Sequence, residues 1–204
     1  MSTSSPFSKP KAYITLVASD NYLKGAIVLA YSIRNHNTNK LLICMVTSNL
    51  TSSTLVQLHK VYDHVIEVPY LDTEDKENLC LLGRPELGLT VTKIHLWSMD
   101  WLEQILFLDA DTLVLKSLDH LFDDYKDSKF AACPDMGWPD CFNSGVFLCK
   151  PDKETYNQLC KKLTQTGSFD GGDQGLLNEY FENWHKSNEQ RLPFIYNVTC
   201  TEFY

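Results

Sequence analysis

Ala12-Tyr-Ile-Thr-Leu-Val-Ala18 is a short apolar run rich in β-forming residues, and it reads as a buried strand. Ser19-Asp20 follows as a helix cap, and residues 21–35 then carry Tyr22, Ala26, Leu29, Ala30 and Ile33 at helical spacing. Leu41-Leu-Ile-Cys-Met-Val46 predicts a second strand, residues 53–61 a second helix, and Asp63-His-Val-Ile-Glu-Val68 a third strand. Apolar strands alternating with helices predict a mostly parallel sheet covered on both faces. Downstream, the patterning predicts helices over 89–99, 153–164 and 173–184, with strands at Gln104-Ile-Leu-Phe-Leu-Asp109 and Ser144-Gly-Val-Phe-Leu-Cys149. Phe194-Ile-Tyr196 is a short apolar piece near the end. The expectation is an α/β fold: one doubly wound, mostly parallel-sheet domain over residues 12–204, preceded by a disordered lead over 1–11.

Composition narrows the function. The chain has 204 residues, 44% hydrophobic and 22% charged, which is ordinary for a globular protein and excludes a disordered or collagenous one. Its net charge of −8 repels polyphosphate, so no nucleic-acid partner is expected. No apolar stretch reaches the roughly 18 residues of a membrane span, and the polar start lacks the hydrophobic core of a signal peptide. A cytoplasmic protein that does not engage a membrane is therefore expected. The seven cysteines show no Cys-x-x-Cys spacing and read as reduced structural thiols. Neither Gly-x-Gly-x-x-Gly, a phosphate-loop lysine motif nor a Gly-x-Ser-x-Gly elbow occurs, which argues against dinucleotide, P-loop and hydrolase chemistry.

Chemistry concentrates at Phe107-Leu108-Asp109-Ala110-Asp111-Thr112. An apolar strand running into Asp-x-Asp puts two carboxylates at the edge where such sheets bind ligands. Hard divalent cations take oxygen ligands and balance a diphosphate leaving group. Ala110, between the carboxylates, is small enough for a sugar or nucleotide to approach. A solvated turn after a strand has the same local sequence, since Asp favours turns. Asp173, opening a helix, reads equally as a cap, and Asn143-Ser144-Gly145 reads as a turn entering a strand. Lys93 and Arg84 have the residue type of ordinary surface charges.

Longer blocks carry a resemblance. Asp109-Ala-Asp-Thr-Leu-Val-Leu115, Pro139-Asp-Cys-Phe-Asn-Ser-Gly-Val146 and Gly167-Ser-Phe-Asp-Gly-Gly-Asp-Gln-Gly175 together resemble the family-8 retaining glycosyltransferases of glycosyltransferase A type fold. Arg84-Pro-Glu-Leu-Gly-Leu-Thr-Val-Thr-Lys93 and Leu192-Pro-Phe-Ile-Tyr-Asn197 narrow it to the glycogenin group, self-glucosylating enzymes that use UDP-glucose and Mn²⁺ to prime glycogen. The resemblance implies that Asp109 and Asp111 hold the metal, and that Arg84 and Lys93 face the sugar-nucleotide, Lys93 among the catalytic residues. It implies that Leu16 and Tyr22 contact the nucleoside, that Ala110 lines the donor site, and that Asn143 and Ser144 meet the glucose and acceptor. Asp170, Gly172, Asp173 and Gln174 are implied sugar contacts, with Asp173 and Gln174 catalytic. Tyr204 falls at the acceptor tyrosine. Where the group reads Thr-Thr-Asn-Asp after its first strand, this chain has Val17-Ala-Ser-Asp20.

The resemblance also implies a growing glucan, a homodimer in the full-length form and glycogen synthase as partners. It further implies that the chain stops before a block supplying a histidine metal ligand and a diphosphate lysine. Two other functions fit the residues: a family-8 hexosyltransferase with a separate small acceptor, and a catalytically dead scaffold for the glycogen-synthesis machinery.

Overall fold

In the computed structural model the described residues are 8–71, 85–168, 170 and 172–198. Six strands form one sheet: β1 (Lys11–Val17), β2 (Leu41–Val46), β3 (His64–Glu67), β4 (Gln104–Leu108), β5 (Phe130–Pro134) and β6 (Phe142–Cys149), in the order β3-β2-β1-β4-β6-β5. The first four neighbours are parallel, with Ala12 opposite both Leu41 and Ile105. Strand β6 is antiparallel to both β4 and β5. The result is a mixed α/β sheet, mostly parallel as the alternation predicts.

The apolar strands exist because both sheet faces are covered. Side chains alternate across the sheet with a period of two. Tyr13, Val17, Leu42, Cys44, Leu106 and Leu108 therefore pack under α1 (Leu23–Arg34) and α2 (Ser52–Val61), together with Phe122 of the short α3 (Leu121–Asp124). Ala12, Ile14, Ile43, Met45, Ile105 and Phe107 face the other way. There they meet a 3-10 helical segment (Pro85–Ser98), α4 (Lys153–Thr166) and α5 (Asp173–Tyr180). An aromatic stack anchors this face, with Trp97 5.8 Å from Phe147 and Phe147 5.1 Å from Phe107.

Several elements differ from the sequence reading, among them the unanticipated short α3. The expected helix over 89–99 has 3-10 geometry. The helix from Asp173 ends at Tyr180, and a separate 3-10 turn (Trp184–Lys186) lets the buried Trp184 indole donate to the Ala132 carbonyl at 3.2 Å. Strand β5 has no strong local signal, because its Ala131-Ala132 pair is poor in β propensity; pairing with β6 makes it a strand. Pro10 precedes β1 and accepts from the Glu103 amide at 2.9 Å.

Candidate active site

The winding reverses between β1 and β4, since β2 and β3 lie on one side of β1 and β4 on the other. Open α/β sheets bind ligands at such a switch point, beyond the carboxyl ends of the strands. A cleft of about 370 Å³ opens there. Leu16, Ala18 and Tyr22 line it from β1 and the turn after it; Asp109, Ala110 and Asp111 from the end of β4; Asn143, Ser144 and Gly145 from β6. Thr90 and Lys93 come from the 3-10 segment, whose three-residue turn stacks them on one side. Asp170, Gly172, Asp173 and Gln174 close the far wall from the start of α5, and Asp135 joins them from the end of β5.

Lys93 lies at the floor. It is 3% exposed, and its ammonium sits 2.9 Å from Asp109 Oδ1 and 3.0 Å from Asp173 Oδ2. It also donates to the Ser144 carbonyl at 3.4 Å and lies 5.0 Å above the Phe107 ring. Burial alone would favour the neutral amine, but the two carboxylates outweigh it and hold Lys93 protonated. Its positive charge is thus directed at groups of its own chain. Burial in the same floor pushes Asp109 up to about 6, against the opposing pull of Lys93. Asp173 is not a helix cap: Gly172 takes the cap position, and the Asp173 amide donates to Thr90 Oγ1 at 3.1 Å. Although 3.0 Å from Lys93, Asp173 Oδ2 has no aligned hydrogen bond.

Around this floor, other side chains are fixed by their neighbours. The Gln174 amide donates to Asp135 Oδ2 at 2.7 Å and accepts from the Ser144 amide at 3.2 Å, which sets its orientation. Asn143 lies inside β6 rather than in a turn before it; its Oδ1 accepts from the Gly145 amide and from Asn197 Nδ2, both at 2.8 Å. Asp170 accepts from Ser168 Oγ at 2.7 Å and from the Gly175 amide at 3.0 Å. Gly25 of α1 lies directly against the Ala110 carbonyl, so the turn carrying both β4 carboxylates is seated on a helix with no room for a Cβ.

Five carboxylates line the cleft, and Lys93 is the one cation among the described lining residues. Asp109 and Asp111 give hard oxygen donors, Asp111 exposed and Asp109 partly so. Among the described residues no group of three His, Cys, Asp or Glu side chains is arranged to hold a metal. The donor set therefore fits a divalent cation as a partial shell, with room for ligand oxygens.

Residues 13–203 match glycosyl transferase family 8. The chain belongs to that family. Its curated relatives include human glycogenin-1, 47% identical over 95% of this chain and 55% of the relative, and human glycogenin-2, 47% identical over 95% and 38%. Neurospora crassa glycogenin is 40% identical over 94% and 27%. The chain thus spans about half the length, or less, of these curated relatives. Solved structures with the same fold include the galactosyltransferase LgtC with donor and acceptor sugar analogues, at TM-score 0.60 and 20% identity, covering 89% of this chain and 72% of that one. The core-mannan synthase A of Aspergillus fumigatus in its Mn/GDP form has TM-score 0.64 and 11% identity, covering 95% and 74%.

Of the residues singled out from the sequence, Leu16, Tyr22, Lys93, Asp109, Ala110, Asp111, Asn143, Ser144, Asp170, Gly172, Asp173 and Gln174 all line this one cleft. Arg84 and Tyr204 lie outside the described residues. Sequence reading missed Asp135 as a site residue, because it follows a strand with no local signal. It missed Asn197 as well, although Asn197 closes one of the blocks that carries the family likeness. No helix among the described residues is long and apolar enough to cross a membrane.

Proposed function

We propose that the protein is a retaining glucosyltransferase that moves glucose from UDP-glucose to Tyr204 of its own chain or of a dimer partner, then extends an α-1,4-glucan on it. The observation that carries this reading is the charge balance of the cleft: among the described residues five carboxylates face one buried lysine that is already ion-paired, so an anionic diphosphate needs added positive charge there. Asp109 and Asp111 would hold Mn²⁺, which when bound supplies the charge that offsets the departing UDP. Likeness to the glycogenins, over half their length or less, supports the donor, the glucan product, a cytoplasmic setting and glycogen synthase as a partner.

Each side chain then has a task set by its surroundings. Lys93 positions the floor by holding Asp109 and Asp173 in fixed places. Leu16 and Tyr22 flank the nucleoside, and the family likeness gives Arg84, outside the described residues, to the diphosphate. Asn143, Ser144, Asp170 and Gln174 offer oriented polar groups to the glucose hydroxyls, with Ala110 and Gly172 leaving it space. The Asp173 carboxylate, held in place by Lys93, faces the anomeric carbon, where positive charge develops as the glycosidic bond to phosphate breaks. The Tyr204 oxygen bonds to that carbon from the same face, and its proton passes to the departing phosphate oxygen, leaving UDP. Configuration is retained, and no separate general acid is required, because a diphosphate with its charge offset would already be a good leaving group. A phenol, with a pKa of about 10, gives up that proton more readily than an alkyl alcohol.

Incubation with UDP-glucose and Mn²⁺, followed by UDP assay and peptide mass spectrometry, tests the reading. Hexose is expected on the peptide containing Tyr204 and absent from the Tyr204→Phe variant. UDP release without protein labelling, dependent on an added small acceptor, would point instead to a hexosyltransferase with a separate acceptor. Absence of both UDP release and UDP-glucose binding would leave a scaffold.

A further inference from the structure

We propose that Trp138 is a stacking platform for the acceptor glucan, a sugar subsite at the outer end of the cleft. The inference rests on the glucosyltransferase reading above. Trp138 is 94% exposed, the most exposed large hydrophobic side chain among the described residues. It sits on the loop Asp135-Met-Gly-Trp-Pro-Asp140 that joins β5 to β6, beside the half-exposed Met136.

Both feet of that loop are held. At one foot, the Asp135 amide donates to the Cys141 carbonyl at 2.9 Å, and Asp135 Oδ2 accepts from Gln174 inside the cleft. At the other, Asp140 is gripped by both terminal nitrogens of Arg191, at 3.0 and 3.2 Å, and that guanidinium lies 4.2 Å from the buried Trp184 ring. The tip therefore presents an indole to solvent from a braced frame rather than from a frayed strand end.

The chemistry of the patch selects its occupant. An indole face is apolar and carries the negative side of a quadrupole, which suits the C–H face of a hexose ring. Asp135 lies beside it, its oxygens accepting from the Met136 amide and from Gln174 and each keeping a further lone pair for a ring hydroxyl. With Asp140 neutralised by Arg191, the charge left beside the indole is that of Asp135, which disfavours anionic ligands, so a neutral polyhydroxyl chain fits best. Reach agrees as well. Trp138 lies three residues from Asp135 in the cleft wall, a span of at most about 11 Å, or about two linked hexoses. A glucan attached at the reaction centre would meet Trp138 after its first sugars, so the platform would favour elongation over the first transfer.

Calorimetric titration of the chain with maltoheptaose, and separately with UDP-glucose and Mn²⁺, tests this. Trp138→Ala is expected to weaken maltoheptaose binding by about tenfold and Trp138→Phe far less, since one aromatic stack is worth about that factor. UDP-glucose binding should be the same in all three proteins. Equal maltoheptaose affinity in the wild-type and Trp138→Ala chains would overturn the inference, as would a wild-type chain that binds UDP-glucose but no maltoheptaose. Trp138-dependent maltoheptaose binding without UDP-glucose binding would uphold the platform while sinking the glucosyltransferase reading.

Discussion

Two polar nodes lie near opposite ends of the sheet, one part-buried and one at the cleft floor, and they are built to opposite standards. Toward the amino end, Tyr13 donates to Asp119 at 2.6 Å and Thr38 donates to the same carboxylate oxygen at 2.7 Å. Donors and acceptor are matched, and the node ties the segment after Asp111 back to β1. At the carboxyl end, Lys93 faces Asp109 and Asp173 across the cleft floor, with an Asp173 oxygen left without an aligned hydrogen bond. A satisfied network rigidifies a fold, whereas a half-satisfied one costs stability and persists where a ligand will complete it. The contrast sets a matched structural node against the node where the proposed function places the chemistry.

Removing the cation should break the contrast most severely. Lys93→Met leaves Asp109 and Asp173 facing each other without compensation, and loss of one partner from a buried ion pair costs about 3–5 kcal/mol. Urea denaturation should show a drop of that size. A loss under 1 kcal/mol would mean that the floor is far better hydrated than its burial indicates.

Asp111→Asn should separate chemistry from stability at the same end of the sheet. Asp111 is exposed, so its loss should leave the melting temperature unchanged. Transfer with UDP-glucose and Mn²⁺ should nonetheless fall by about 10²–10³-fold, the usual effect of removing one charge contact at a reacting centre. Unaltered Mn²⁺ affinity in calorimetry would exclude Asp111 as a metal ligand.

A smaller effect is expected from the helix that seats the two carboxylates. In Gly25→Ala the new methyl meets the Ala110 carbonyl and must push the Asp109–Asp111 turn outward. A shift of about 1 Å in a positioned group can cost up to about 10²-fold in rate, and we expect about tenfold, together with a loss of about 1–3 kcal/mol of stability from the clash with backbone. Unchanged Mn²⁺ affinity and rate would show that the turn is not fixed from this side.

Tyr13→Phe probes the satisfied node and should have the least effect. It deletes one hydrogen bond and leaves Asp119 its Thr38 partner, so about 1 kcal/mol of stability is lost with no effect on transfer. Loss of activity without loss of stability would show that the two nodes communicate, contrary to their separate roles.

Much of this was legible from the chain alone. The runs at 12–18, 41–46 and 104–108 announce strands, because a side chain buried on both sheet faces must be apolar whatever its neighbours are. Asp109 and Asp111 are readable as a pair because one residue separates them at the end of such a run. The blocks around Asn143 and Asp173 carry the family likeness.

Sequence periodicity reports only local backbone geometry, and its reach ends within one element. It could not orient β6, whose antiparallel pairing with β4 brings the Ser144 carbonyl to Lys93. Neither could it reveal β5, a strand made by its partner rather than by its own propensity. Asp135 and Asn197 gain their roles from contacts with Gln174 and Asn143 across distant parts of the chain. Above all, it could not show that Lys93 is buried between Asp109 and Asp173. The sequence by itself determined the class of fold and the kinds of groups available. Only the tertiary structure decided which charges face one another, because that depends on how the loops close and on the water they exclude.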